Sequence, residues 1–199
     1  MRPVSQEEWQ DFLQRWWHAA PGTQRQGRAG LAEVIEQLQG FELPAGDWER
    51  VLAERVESYR PEWLDDLCLS GEVAWGRLSV LEPAVEGDEA EQPRPSGKTP
   101  SRRTPVTFML RQDLPWLLQA HRGGVTPAEP DVGPGREVLD ALRGHGALFH
   151  ADLQTIMGRL PSEVEEGLWD GVARGLISAD GFNAIRSLLN ARTRFARRQ

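Results

Sequence analysis

Basic side chains are the residues of this chain best placed to do chemistry, and the chemistry is neutralisation of phosphate. They are unevenly distributed. Arg94, Lys98, Arg102 and Arg103 share one proline-rich stretch, and Arg186, Arg192, Arg194, Arg197 and Arg198 lie at the end of the chain. Residues 182–199 contain no acid, whereas residues 1–81 hold 14 acids against 8 bases and residues 135–181 hold 8 against 4. The formal net charge is −7. That excludes a surface coated throughout with phosphate-binding groups and confines contact with a polyanion to the two basic patches. Lys98 is the one lysine beside 22 arginines. The forked guanidinium suits phosphate oxygens, but so lopsided a ratio reads mainly as base-composition bias.

Other chemistries are weaker. His18, His121, His145 and His150 do not combine with Cys68 at any zinc-ligand spacing, so no metal site is expected. Paired carboxylates recur at Glu7-Glu8, Asp65-Asp66 and Glu165-Glu166. On amphipathic helices such pairs form solvated faces. A carboxylate that positions a water could do general-base work, for which Asp65, Asp66 and Glu72 are the candidates. Among the eight tryptophans, Trp9, Trp16, Trp48 and Trp169 fall on apolar stripes and are expected in the core, while Trp75 is open to either reading.

The elements that position these groups follow from periodicity. Ser5 with Glu8 makes a capping box, and Trp9, Phe12, Leu13, Trp16 and Trp17 recur at helical spacing up to Pro21-Gly22. Leu31, Val34, Ile35 and Leu38 predict a second helix ended by Gly40. Trp48, Val51, Leu52 and Val56 predict a third, capped by Asp47. Trp63, Leu64, Leu67 and Cys68, after Pro61, predict a fourth. Glu72–Val80 alternates as a strand, and 106–110 is its expected hairpin partner. Residues 82–104 between them, with four prolines and many charges, read as a long wing loop. A short helix over 113–119 and a Gly/Pro-rich linker over 122–135 follow. Three more helices built on Val138/Leu139/Leu142, Leu153/Ile156/Met157 and Val164/Leu168/Val172 come next. Ile177–Leu189 then reads as a hairpin turning at Asp180-Gly181.

The order helix, helix, helix, strand pair thus occurs twice. The expected fold class is mainly α with small β-hairpins (α+β), as two tandem winged-helix modules. The expected divisions are an N-terminal helix and loop (1–28), a first winged helix (29–121), the linker (122–135), a second winged helix (136–190) and a basic tail (191–199). The helix that enters the major groove in a helix-turn-helix carries Glu62, Asp65 and Asp66 in the first module, and Glu163, Glu165, Glu166 and Asp170 in the second. Carboxylates there oppose a polyanion. DNA contact is therefore expected from the wing (Arg94, Lys98, Arg102, Arg103) and the end of the chain (Arg186, Arg192, Arg194, Arg197, Arg198). The single cysteine excludes an internal disulfide and fits a reducing compartment, with cytoplasm expected. No apolar run approaches the roughly 18 residues of a membrane span, and no membrane partner is expected.

Particular residues carry a resemblance. Leu38-Gln39-Gly40-Phe41, Pro44-Ala45, Trp48-Glu49, Ala53-Glu54-Arg55-Val56, Tyr59, Trp63-Leu64-Asp65 and Gly71-Glu72-Val73-Ala74-Trp75 resemble the C-terminal region of Lhr, the large helicase-related proteins of superfamily two. Asp170–Ile177, Asp180-Gly181-Phe182 and Ile185–Leu189 look like the same region further on. The Trp-Glu, Ala-Glu-Arg-Val, Tyr and Gly-Glu pattern is also similar to the tandem winged-helix DNA glycosylases of the AlkZ type. The resemblance implies a DNA-binding segment, on single- or double-stranded DNA, of an ATP-dependent repair helicase, with the remaining domains of that helicase as partners. It also implies base-excision (uracil-glycosylase) activity nearby. An architectural module that docks other domains is the third expectation. ATP and Mg²⁺ would belong to motor domains of the parent protein, because this chain has no Gly-x-x-x-x-Gly-Lys-Ser/Thr loop and no Asp-Glu-x-His box. No cofactor is expected in this segment.

Overall fold

The computed structural model describes residues 3–80, 103–182 and Arg186. The chain opens with α1 (Gln6–Trp16), whose Ser5 and Glu8 form the expected reciprocal cap. Three helices follow: α2 (Gly27–Leu38), α3 (Trp48–Arg55) and α4 (Pro61–Leu69). Gly40, at φ +93°, turns the chain sharply after α2, in the left-handed region that favours glycine. Asp47 precedes α3 but makes no side-chain cap.

Strands β4 (Val73–Gly76) and β5 (Pro105–Leu110) form the expected antiparallel hairpin, with Val73 opposite Leu110 and Gly76 opposite Thr107. Three two-residue strands escaped the periodicity reading because they are too short to alternate. Strand β2 (Leu43–Pro44) pairs antiparallel with β5, giving the sheet order β2-β5-β4. Strands β1 (Arg25–Gln26) and β3 (Val56–Glu57) pair in parallel and tie the entry of α2 to the exit of α3. Three helices closed by this three-stranded sheet are the winged-helix arrangement, and the molecule as a whole is mainly helical with small strands.

A 3-10 turn (Arg111–Asp113) leads into α5 (Leu114–Arg122), then α6 (Pro134–His145), α7 (His150–Met157) and α8 (Pro161–Ala173). Helices α6 and α8 pack closely because Gly167 lets the backbones meet: a Cβ there would stand 2.6 Å from the Pro134 carbonyl oxygen. The segment after α5 is not slack. Glu129 receives Arg136 and Arg143, and the Ala128 carbonyl accepts from Arg174.

The hairpin expected over Ile177–Leu189 is corrected at its described residues, 177–182 and Arg186; 183–185 and 187–189 lie outside them. Ala179 pairs with Trp75 of β4, each accepting the other's N–H at 3.1–3.3 Å, so this stretch joins the edge of the first sheet. The Arg186 N–H donates to the Phe182 carbonyl four residues back, a helical bond where a strand was expected. Phe182 is fully buried against Trp75 and Phe108. One core therefore runs from Leu31, Leu52 and Leu64 through Phe108 to Val138, Val172 and Phe182.

The tryptophans divide differently from the stripe reading. Trp48 and Trp169 are buried as expected, and so is Trp75. Trp9 and Trp16, expected in the core, are 52% and 56% exposed. Helix α1 buries none of its residues. Its stripe is real in spacing, but only Trp17, just past the helix, packs against the core, while Trp9, Phe12 and Trp16 stay exposed.

Candidate nucleic-acid interface

The root of the wing is its best-defined part. On the β4 side, Glu42 accepts from the backbone N–H groups of Leu78 (2.6 Å) and Ser79 (2.8 Å) and from the Ser79 hydroxyl (2.6 Å). On the β5 side, the Ala45 N–H donates to the Thr104 carbonyl at 2.9 Å. The Trp48 indole donates to the Val106 carbonyl at 2.8 Å, within the core. Both margins of the wing are thus held by the same short connection between α2 and α3. A carboxylate bonded to two amides and a hydroxyl is a strong acceptor, and hairpin pairing fixes where the loop departs.

The root is also tied to the second group of helices. Arg77, nearly buried, donates to the Ser79 hydroxyl and to the Ala173 carbonyl at the end of α8. Arg122, from the end of α5, donates to the Leu78 and Gly175 carbonyls. Burial lowers the Arg122 pKa from its ordinary value, against the opposing pull of Glu42. It stays protonated all the same and serves as a clasp of carbonyl oxygens.

Of the sequence-predicted contacts, Arg103 lies at the foot of this hairpin, next to the buried Thr104. Arg94, Lys98, Arg102, Arg192, Arg194, Arg197 and Arg198 lie outside the described residues. Arg186 is placed inward. It donates to Glu49 of α3 at 2.6 Å and to Asp65 of α4 at 2.8 Å, with its side chain only 16% exposed. Burial works against its charge, but the hydrogen bonds to Asp65 and Glu49 outweigh this and hold its pKa above the ordinary value. It joins the end of the described chain to the helix-turn-helix, a use invisible to charge counting.

The two helices expected in the groove-reading position keep their acidic character. On α4, Asp65 is bound to Arg186, and Glu62 and Asp66 are exposed. On α8, Glu163 closes the cap at Leu160 and receives Arg159, which also takes Glu137. The Glu163 carboxyl is held below its ordinary pKa first by the Leu160 N–H and then by Arg159. Asp170 pairs with Arg174, and Glu165 and Glu166 stay exposed. Neither helix presents a cationic face.

For base chemistry, two of the three candidate carboxylates have protein partners: Asp65 with Arg186 and Glu72 with Arg28. Cys68 is buried, and burial pushes its thiol up to about 12, so it is no nucleophile. Among the described residues no three of His, Cys, Asp and Glu converge as a metal site, and no helix is long and apolar enough to cross a membrane.

This arrangement, a helix-turn-helix with a clamped wing, is that of a winged-helix protein. Residues 4–89 match the family described as large helicase-related protein, winged-helix domain. Over 193 residues, 96% of its length, the chain is 31% identical to the Lhr helicase/probable uracil glycosylase of Mycolicibacterium smegmatis, of which it covers 11%. Over 181 residues, 84% of its length, it is 28% identical to the Lhr helicase/uracil glycosylase of Escherichia coli, of which it covers 10%. The resemblance to Lhr proteins read from the residues is therefore shown. The chain spans about a tenth of the length of these curated relatives.

Proposed function

We propose that this chain is a DNA-gripping segment of an Lhr-type, ATP-dependent repair helicase of the cytoplasm, built as two tandem helical units of the winged-helix kind, the second of which bridges through Ala179 to the edge of the first sheet in place of a described hairpin of its own. It holds single- or double-stranded DNA by phosphate contacts from Arg94, Lys98, Arg102 and Arg103 of the wing, with Arg192, Arg194, Arg197 and Arg198 of the tail as the second patch. ATP and Mg²⁺ act in motor domains elsewhere in the parent polypeptide, since this sequence holds no Gly-x-x-x-x-Gly-Lys-Ser/Thr loop. The observation that carries the reading is the two-sided clamp on residues 78–79 and 104–106. It fixes the departure of a loop whose second half, residues 93–103, carries four cations and no acid, while helices α4 and α8 stay acidic. Arg102→Ala/Arg103→Ala, assayed by fluorescence anisotropy on labelled DNA, is expected to flatten the plot of log affinity against log salt by about 2, close to one unit for each phosphate no longer neutralised. A charge-neutralising Glu163→Gln/Glu165→Gln pair is expected to leave binding equal or tighter. If the glutamine pair weakens binding more than the alanine pair does, the wing does not hold the DNA.

A second reading comes from the printed names of both relatives, which include uracil glycosylase. In this reading the chain contributes to a base-excision module, and of the carboxylates weighed for water activation Asp66 is the exposed one without an ion pair among the described residues. Excision from a uracil-containing oligonucleotide, abolished by Asp66→Asn, would establish it; no excision by the intact protein would remove it.

A further inference from the structure

We infer that Arg60, braced on Trp63 at the turn of the helix-turn-helix, is a further DNA contact of this chain and takes a backbone phosphate. The inference rests on the reading that the chain grips DNA, and it adds a contact point outside both basic patches.

Arg60 differs from the arginines around it in what its guanidinium bonds. Arg25, Arg28, Arg50, Arg111 and Arg136 each take a carboxylate, and Arg122 takes carbonyl oxygens. Arg60 is exposed and bonds no oxygen among the described residues. Its guanidinium lies over the ring of Trp63, with the central carbon 5.9 Å from the ring centroid, within cation–π range. Stacking covers one face of the guanidinium and leaves its N–H edges open, and those edges are what meets phosphate oxygens.

The turn holds this side chain in place. Strand β3 pairs with β1, Tyr59 and Trp63 both pack against the core, and Pro61 sets the first turn of α4. The Trp63 N–H donates to the Arg60 carbonyl at 3.1 Å. Arg60 is thus flanked by two anchored aromatics. A side chain already held by a ring loses less freedom on binding.

Position and charge select the ligand. In a helix-turn-helix the residues at the start of the second helix come closest to the DNA, and Arg60 immediately precedes α4. Along α4, Glu62 and Asp66 are exposed on one side, four residues apart, and make no ion pair among the described residues. They oppose a duplex laid along the helix, so the contact is with a phosphate at its start rather than with base edges further on. Glu57, the other acid close in sequence, accepts from Gln26 at 2.8 Å. Charge counting passes over Arg60 because it stands between Glu57 and Glu62.

Fluorescence anisotropy of the intact chain on labelled single- and double-stranded DNA, across a salt series, tests this. Arg60 is exposed and bonds no oxygen, so its replacement leaves the fold intact. Arg60→Gln is expected to flatten the plot of log affinity against log salt by about 0.7 on single strands or 0.9 on duplex, and to weaken binding roughly five- to eightfold near 0.1 M salt. Arg60→Lys keeps the charge and is expected to keep the slope. Arg50→Gln removes an exposed guanidinium already paired with Glu54, and is expected to change the slope much less. An unchanged slope in Arg60→Gln overturns the inference. So does an equal change in Arg50→Gln, which marks net charge rather than a contact. A lysine variant that loses as much slope as the glutamine variant overturns it too. Wild-type binding indifferent to salt overturns the DNA-gripping reading as well. If Arg102→Ala/Arg103→Ala flattens the plot and Arg60→Gln does not, this inference alone falls.

Discussion

Arg186 shows how far a side chain's role depends on what folds beside it. By composition it is one of five arginines in an acid-free stretch, the pattern of a phosphate contact. By position it neutralises Glu49 and Asp65, two carboxylates that α3 and α4 place beneath the end of the described chain. Removing one partner from such a group strands the others in a poorly hydrated place. Arg186→Ala is expected to lower stability by about 2–3 kcal/mol, less than for a fully buried pair because Glu49 keeps 35% exposure. Urea denaturation reads this as a lower midpoint at unchanged slope. Replacing all three groups with neutral ones, as Arg186→Met/Glu49→Gln/Asp65→Asn, should recover part of the loss. DNA affinity of the single variant should change less than that of Arg102→Ala/Arg103→Ala. A larger loss of affinity at Arg186 would return it to the phosphate-binding set.

At the scale of elements, the packing around α8, against α6 and against Ile177, depends on two glycines that helix propensity alone would disfavour. A Cβ on Gly167 would meet the Pro134 carbonyl at 2.6–2.7 Å, and one on Gly171 would overlap the Ile177 side chain. Backbone cannot swing aside, so Gly167→Ala is expected to cost about 2–3 kcal/mol by overpacking, or roughly 6–10 °C in melting temperature for a chain of this size. Gly144→Ala, in the last turn of α6 with nothing within 4 Å of its Cβ, should be neutral or raise stability by up to about 1 kcal/mol. Thermal melts of the two variants side by side separate crowding from propensity. The same distinction explains what was legible in the sequence. Every long helix was readable because stripes such as Leu31/Val34/Ile35/Leu38 report local geometry, and the Ser5–Glu8 cap is settled within four residues. Strands β1, β2 and β3 are two residues each and exist only through partners far along the chain. The stripe of α1 gave its period correctly and its burial wrongly, since periodicity shows that a face is apolar and not what covers it. At the candidate interface, the basic second half of the wing loop and the acidic helices could be read from composition. The Glu42 clamp and the inward turn of Arg186 could not, because each joins residues more than 30 positions apart.

For the whole molecule, the decisive feature is the return of residues 177–182 onto the first sheet. Had this stretch folded back on itself, the two helical groups would share little more than a linker and could melt separately. Instead Ala179 extends the sheet at Trp75, and Trp169 of α8 lies 6.1 Å from the Trp75 ring. Phe182 is inserted between Trp75 and Phe108, with its centroid 4.8 Å from that of Phe108. Arg77 and Arg122 add bonds from the wing root to the carbonyls of Ala173 and Gly175. A core that is continuous across both groups unfolds as one cooperative unit, so the wild-type chain is expected to show one calorimetric transition whose van't Hoff and calorimetric enthalpies agree. Phe182→Ala removes a ring that is 1% exposed, and is expected to cost about 3–5 kcal/mol. The shape of its transition carries the test. If the seam is what couples the groups, the variant should uncouple them: α6–α8 should melt below α2–α4, with the near-ultraviolet signal of Trp169 lost before that of Trp48. If the variant keeps one sharp transition at a lower temperature, the coupling resides in the Arg77 and Arg122 bonds rather than in the aromatic seam. If the wild type already melts in two steps, the groups are independent domains, and a wing rooted in one of them gains no rigidity from the other.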